Sequence, residues 1–157
     1  MKTNKKAYIF FIGTALAVGG LSALISGGGM DFYSEIKTPP LAPPSILFPI
    51  VWSVLYILMG ISAAIVSLNQ ASGESDKKSA LSTYAASLIF NFAWSIIFFN
   101  LRAFLFAFLW LAVLLYLIVK TIIKYREINK IAAYLQIPYA VWVSFAGYLN
   151  FAIWVLN

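Results

Sequence analysis

Five long apolar runs, separated by polar segments, constrain the fold of this chain more than any other feature. They cover residues 8–26, 46–68, 80–99, 103–123 and 131–156. Each run is close to the roughly 20 residues that a helix needs to cross the hydrocarbon core of a bilayer. Because a backbone in lipid must satisfy its own hydrogen bonds, such runs predict helices. We therefore expect an all-α membrane protein, with a single domain of five transmembrane helices over residues 1–157.

The composition supports this expectation and excludes several classes of function. Apolar residues make up 62% of the chain and charged residues 10%, whereas a soluble domain has about 25% charged residues. The chain contains no cysteine and no histidine, which excludes Ser-His and Cys-His catalysis and removes the commonest ligands of zinc and haem iron. We expect no metal site and no resident cofactor.

The distribution of lysine and arginine predicts the orientation in the membrane. Cytoplasmic segments carry an excess of these residues, so we expect a cytoplasmic N-terminus, an outer C-terminus and, given the basic start, a bacterial plasma membrane. Because the charges mark the ends of apolar runs and form no patch, no nucleic-acid partner is expected. The predicted inner side holds Lys2, Lys5, Lys6, Lys77, Lys78, Lys120, Lys124, Arg126 and Lys130, and the outer side holds Lys37 and Arg102.

The connection over residues 27–45 is long and rich in proline. It contains the doublets Pro39-Pro40 and Pro43-Pro44, and proline lacks the backbone donor that a regular helix needs. Long connections in compact folds are usually functional or disordered. The aromatic and apolar residues of this one favour packing onto the bundle.

Charged side chains are missing from the middle of the predicted spans, so aromatic and amide groups carry the chemistry of the bundle. Three predicted helices place such groups on one face at helical spacing. An indole N–H within a bilayer needs a partner, so these faces indicate either a ligand cavity or a packed core, and the pattern alone leaves both open. The faces comprise Trp52 and Tyr56; Asn91, Trp94, Ser95 and Phe98; and Trp142, Phe145, Ala146 and Leu149.

Amides and small residues in the spans each allow two interpretations. Asn91 is either a polar contact between helices or the polar handle of a cavity. An interhelical contact is favoured for Asn150, whereas Gln136, near a helix end, is expected to be hydrated. A stripe of small residues four apart predicts a close helix contact, either within the bundle or in a homodimer. This stripe comprises Ala15, Gly19 and Ala23.

Three blocks of the sequence resemble the signatures of one family of membrane proteins. They are residues 48–56 (FPIVWSVLY), followed by Met59 and Gly60; residues 91–99 (NFAWSIIFF); and residues 138–146 (PYAVWVSFA), followed by Leu149, Asn150, Phe151 and Trp154. In order and spacing they are similar to the second, third and fifth helices of the translocator protein (TspO/MBR) family, also called tryptophan-rich sensory proteins or peripheral benzodiazepine receptors. The resemblance extends over nearly the whole chain.

The resemblance implies a five-helix bundle, often dimeric, whose members bind porphyrins such as protoporphyrin IX and bulky aromatic drugs. It places the pocket under the connection between the first two spans, with residues 27–45 as its lid. The implied partners are a porphyrin or similar aromatic ligand, the lipid bilayer and a second copy of the chain. Matched by motif, the pocket residues are Tyr33, Pro43, Trp52, Tyr56, Asn91, Trp94, Trp142, Ala146 and Leu149.

Two positions depart from the pattern of the family. Leu41 stands where the family has a tryptophan, two residues before Pro43-Pro44, so the lid lacks an aromatic contact. Phe151 stands where the mammalian cholesterol motif has tyrosine, and no lysine or arginine follows Lys130. Cholesterol binding is therefore not implied.

Three functions are consistent with the sequence. The first is a receptor or carrier of porphyrin-like ligands, in tetrapyrrole transport or stress sensing; without histidine or cysteine, a metal-free ring is favoured. The second is an enzyme of light-dependent porphyrin breakdown, with Trp52 and Trp142 as redox-active side chains. The third is a structural or regulatory membrane protein whose aromatic faces are core.

Overall fold

The computed structural model describes the backbone of residues 2–27 and 30–157, and the side chains of these residues except 2, 3 and 30. Met1, Gly28 and Gly29, the last two within the predicted lid, lie outside the described residues. The helices are α1 (Lys2–Ile25), α2 (Met30–Glu35), α3 (Leu47–Leu68), α4 (Glu74–Ser95), α5 (Phe104–Ile128) and α6 (Lys130–Leu156). A π-helical turn, Ile96–Asn100, continues α4.

Five of the described helices, all except α2, are long and apolar enough to cross a membrane. Large apolar side chains on their outer faces are exposed, among them Leu24, Ile89 and Val141. Lipid accepts such a surface, whereas a soluble monomer rarely exposes one. The all-α architecture with five potential spans is therefore confirmed for the part of the chain that the structure describes.

Several helices extend beyond the apolar runs. Helix α4 begins at Glu74, before the run at 80, and α5 ends at Ile128, after the run at 123. Acidic residues in the first turn interact favourably with the positive end of the helix, and Glu74 also pairs with Lys77. The hydropathy boundary thus marks where a helix leaves the hydrocarbon, while its backbone stays helical into the aqueous layer.

The spanning helices close into a ring. Helix α1 packs mainly on α3, α3 on α6, α6 on α5 and α5 on α4. A smaller contact between α4 and α1 completes the ring. Two glycines permit the α1–α3 contact, because a Cβ at Gly19 would overlap the Tyr56 ring and one at Gly60 would overlap the Ile12 backbone. Ala15 is fully buried. Ala15 and Gly19 of the small-residue stripe therefore face the interior of the bundle.

The connection between α1 and α3 packs onto the bundle. It contains the short helix α2, which was not predicted and which lies before the prolines. The Phe32 ring of α2 is buried, with centroids 5.8, 5.7 and 6.0 Å from those of Phe98, Phe99 and Phe104. We call the end of the bundle that carries this connection the loop end, and the opposite end the base end.

Buried polar groups join α3 to α6 near the base end. The Ser62 hydroxyl donates to the Ala132 carbonyl (2.7 Å) and accepts from Gln136 Nε2 (3.3 Å). Gln136 is 1% exposed, so the prediction that it is hydrated was wrong. The reason is that α3 covers this turn of α6, and a position near a helix end in sequence is not an exposed position in space.

Candidate ligand-binding cavity

A cavity of about 310 Å³ lies at the loop end, among α1, α3, α4, α6 and the connection. Leu16, Tyr56 and Asn91 line it, and each lies nine residues from the loop end of its helix, counted for Asn91 to the end of the π-helical turn that continues α4. At about 1.5 Å per residue, the cavity descends about 14 Å, roughly half of the ~30 Å hydrocarbon core. Its volume lies at the lower end of the range for small-molecule sites.

A stacked pair of aromatic rings forms the α3 wall of the cavity. The Trp52 and Tyr56 centroids are 5.6 Å apart, and the two ring planes meet at 28°. Because the two residues are one helical turn apart, their side chains share a face. The Tyr56 ring also contacts Gly19 of α1, which leaves room for it by having no Cβ. The result is a flat aromatic surface facing the cavity.

A second stacked pair forms the α4 wall. The Trp94 and Phe98 centroids are 5.3 Å apart at 27°. Trp94 Nε1 donates to Asn150 Oδ1 (3.1 Å), and Asn150 Nδ2 donates to the Phe104 carbonyl (2.8 Å), so Asn150 joins three helices as the sequence favoured. The π-helical turn inserts an extra residue into the helical repeat, and both Phe98 and Phe99 contact the cavity.

The floor of the cavity is polar but uncharged. Asn91 is 1% exposed and donates from Nδ2 to the Tyr139 hydroxyl (3.0 Å), and the Tyr56 hydroxyl lies beside the same amide. Asn91 thus joins α4 to α6, as one interpretation predicted, and it also lines the cavity; its role as the polar contact of a ligand stays a prediction. Within the described part of the chain, no charged side chain lines the cavity and no group of three His, Cys, Asp or Glu could hold a metal ion.

Comparison with known proteins identifies the family. Residues 11–155 match the model of the TspO/MBR family. The chain belongs to the TspO/MBR family. It is 36% identical over 149 residues to protein CrtK of Rhodobacter capsulatus, covering 95% of this chain and 91% of the relative. It is 35% identical over 147 residues to tryptophan-rich protein TspO of Chlorobaculum tepidum (93% and 92%) and 30% identical over 133 residues to translocator protein of Ovis aries (85% and 79%).

The family membership predicted from the three sequence blocks is therefore confirmed, and the chain is a multi-pass membrane protein. Seven of the nine pocket residues matched to the TspO/MBR motifs line the cavity, and Pro43 and Trp142 do not. The Pro43 carbonyl instead accepts a hydrogen bond from the Tyr33 hydroxyl (3.2 Å). The seven are Tyr33, Trp52, Tyr56, Asn91, Trp94, Ala146 and Leu149.

Phe48 separates Trp142 from the cavity. The Phe48 ring lines the cavity and meets Trp142 edge-on, with centroids 6.0 Å apart. Trp142 Nε1 is buried and has no hydrogen-bond partner among the described residues. Helical spacing predicts the face that a side chain shares, but not which neighbouring side chain stands in front of it. The role of Trp142 as a ligand contact or redox group stays a prediction.

The wall contributed by α1 was not predicted. Its members are small or aliphatic and carry no reactive group, so composition gives no signal for them. The small-residue stripe was the available clue, because Gly19 and Ala23 belong to both the stripe and the wall. The wall comprises Leu16, Gly19, Gly20, Ser22 and Ala23 of α1, together with Ser26 just after its end.

The connection borders the cavity through Tyr33 and Ser45 and is held by the loop end of α6. The Tyr148 hydroxyl donates to the Pro40 carbonyl (2.8 Å). The Asn157 side chain accepts from the Lys37 backbone N–H and donates to the Lys37 carbonyl, both at 3.0 Å. Partial burial raises the pKa of the Tyr33 hydroxyl, so that hydroxyl stays a neutral hydrogen-bond donor at physiological pH.

Proposed function

We propose that this protein is a membrane-embedded receptor or carrier of porphyrins and other flat, bulky aromatic ligands, in tetrapyrrole transport or stress sensing. The main support for this proposal is the cavity at the loop end. Two stacked aromatic pairs form its walls, and no charged side chain among the described residues lines it. Offset stacking between aromatic rings contributes about 0.5–1.5 kcal/mol per pair beyond area burial. Such walls suit a flat ring better than a flexible chain.

The polar groups of the cavity support the same ligand class. Asn91 at the floor is a buried amide within apolar walls, the arrangement that orients one polar edge of a small molecule. With no histidine or cysteine in the chain, the commonest strong axial ligands of a porphyrin metal are missing. The proposed ligand is therefore a metal-free porphyrin, and protoporphyrin IX is the probe used to test it.

Absorbance titration of protoporphyrin IX into the detergent-solubilised protein tests the proposal. Trp52→Ala removes one stacking surface, and a loss of about 1.4 kcal/mol corresponds to about tenfold weaker binding. Trp154→Ala is the matched control, because this indole lies on the outer face and does not line the cavity. Equal affinity of Trp52→Ala and the wild-type protein would contradict the proposed cavity.

Light-dependent porphyrin breakdown is the second candidate function. The observation in its favour is the position of Trp52, which lines the cavity and stacks on Tyr56, so that a bound ring would meet an easily oxidised side chain. Mass analysis of products under illumination tests it, with Trp52→Phe expected to lose a protein-dependent product. Loss of porphyrin absorbance without such a product would count against an enzyme.

A structural or regulatory role without a ligand is the remaining alternative. A molecule that binds only the folded state must raise its melting temperature. A thermal-shift screen across porphyrins and aromatic drugs therefore separates the alternatives. A flat profile across the whole series would favour the role without a ligand.

A further inference from the structure

The cavity is not confined to the interior of the ring. Leu16, Gly20 and Ala23 of α1 line it, yet all three are exposed, with Leu16 at 38%. Spacings of three, four and seven residues place them on one side of α1. Pro49 and Ser53 of α3 likewise line the cavity and are exposed. A cavity lined by lipid-facing residues of two adjacent helices passes through the seam between them.

The contacts between α1 and α3 set the lower limit of this opening. The two helices run antiparallel, with Ile12 against Gly60 and Gly19 against Tyr56. Continuing this register toward the loop end places Gly20 and Ala23 opposite Ser53 and Pro49. At Gly20 a Cβ would meet no atom within 4 Å. Below Gly19 the seam is closed by direct contact, and above it the helices leave a slot.

The chemistry of the slot suits an apolar molecule. The Ser26 hydroxyl, one residue past the end of α1, donates to a carbonyl of α1 (2.8 Å), and the Ser53 hydroxyl donates to a carbonyl of α3 (2.7 Å). Neither therefore presents a free donor at the edges. Among the residues that the structure describes, no side-chain hydrogen bond joins α1 to α3. By contrast, Asn150 joins α4, α5 and α6 at the same end. The α1–α3 seam is therefore the side of the ring without a polar tie.

We propose that this slot is the entrance to the cavity, and that flat apolar ligands pass through it edge-on, directly from the hydrocarbon of the bilayer. The ligand class rests on the proposed function. The route rests on residues of α1 and α3 that line the cavity and are also exposed on the outer surface. The alternative route leads through the connection at the loop end. There the backbone of Lys37 and Pro40 is hydrogen-bonded to the side chains of Asn157 and Tyr148, so these bonds would have to break. The slot requires no such bond to break.

A plug at Gly20 tests the route. Gly20→Phe fills the open position at the slot, while Gly13→Phe is the matched control, because Gly13 is exposed on the same helix, meets no atom within 4 Å and does not line the cavity. The full-length protein is reconstituted in phosphatidylcholine vesicles, and protoporphyrin IX binding is followed by stopped-flow absorbance. In Gly20→Phe the association and dissociation rates should fall together by about tenfold or more. In Gly13→Phe both rates should match those of the wild-type protein.

Two further arms complete the experiment. Ser53→Phe, on the opposite edge, repeats the plug should Gly20→Phe fail to fold. Diluting vesicles at a fixed ratio of porphyrin to lipid should leave the observed rate unchanged, since the bilayer concentration is unchanged, whereas access from water would slow it. A rate that falls on dilution, or plug variants with wild-type association rates, would overturn the route while leaving the proposed function intact. Absence of saturable binding by the wild-type protein would reject the proposed function and the route together.

Discussion

Gly60→Ala should destabilise the bundle, although alanine is the better helix former. A Cβ at Gly60 would lie 2.7 Å from Ile12 N and 2.8 Å from Ile12 Cγ1, and ordinary contacts begin at 3.4 Å. Helix α1 must therefore retreat by at least about 0.7 Å, because backbone atoms cannot rotate away. A gap of this size forfeits about a quarter to a half of the dispersion energy of each contact along the seam.

The expected change in the free energy of unfolding follows from two opposing effects, the overpacking of the contact and the higher helix propensity of alanine. Overpacking a well-packed contact costs about 1–3 kcal/mol, and replacing glycine by alanine within a helix returns up to about 1 kcal/mol. With the full return, the net loss in the free energy of unfolding should be up to about 2 kcal/mol.

Reversible unfolding in mixed micelles, followed by circular dichroism, measures this loss. Gly147→Ala is the matched control, since a Cβ on that α6 glycine meets no atom within 4 Å; it should stabilise by about 0.5–1 kcal/mol. Opposite signs at the two glycines support the argument. A Gly60→Ala variant as stable as Gly147→Ala would refute the close approach of α1 and α3.

Three further predictions use other parts of the structure. Asn150→Leu leaves the partners of its amide unpaired and should lower the free energy of unfolding by about 1–3 kcal/mol; an unchanged value would contradict the triple contact. Leu41→Asn should raise it by up to about 1 kcal/mol, because leucine is strained at a φ of 69° and asparagine tolerates it. In intact bacteria, an impermeant thiol reagent should label Thr38→Cys and spare Ser75→Cys; reversed labelling would refute the proposed topology.

The architecture was predictable because lipid admits few solutions. Runs of about 20 apolar residues can only be helices in a bilayer, so the number of potential spans followed from hydropathy alone. The helix ends did not, because charged residues such as Glu74 continue a helix beyond the hydrocarbon. Helix α2 was missed because the prolines that follow it dominate the composition of the connection.

The candidate site was predictable only where one helix carries the signal. Trp52 with Tyr56, and Asn91 with Trp94, share faces by spacing within a single helix, and both pairs line the cavity. The position of Trp142 depends on Phe48 of another helix, and periodicity within α6 contains no information about that neighbour.

The two ends of the bundle are held together by different interactions, and this difference explains where a ligand can sit. Near the base end, direct contacts such as Gly60 on Ile12 and the bonds of Ser62 with α6 close the interior. At the loop end, stacked aromatic pairs on α3 and on α4 with its π-helical turn border a cavity between the helices. A ligand in the cavity adds contacts across the loop end, because the residues that line the cavity lie in the loop halves of their helices. Slower amide exchange on ligand binding should therefore be confined to the loop halves of the helices that line the cavity. It should be largest in α1 and α3, because no side-chain hydrogen bond among the described residues joins these two helices to each other.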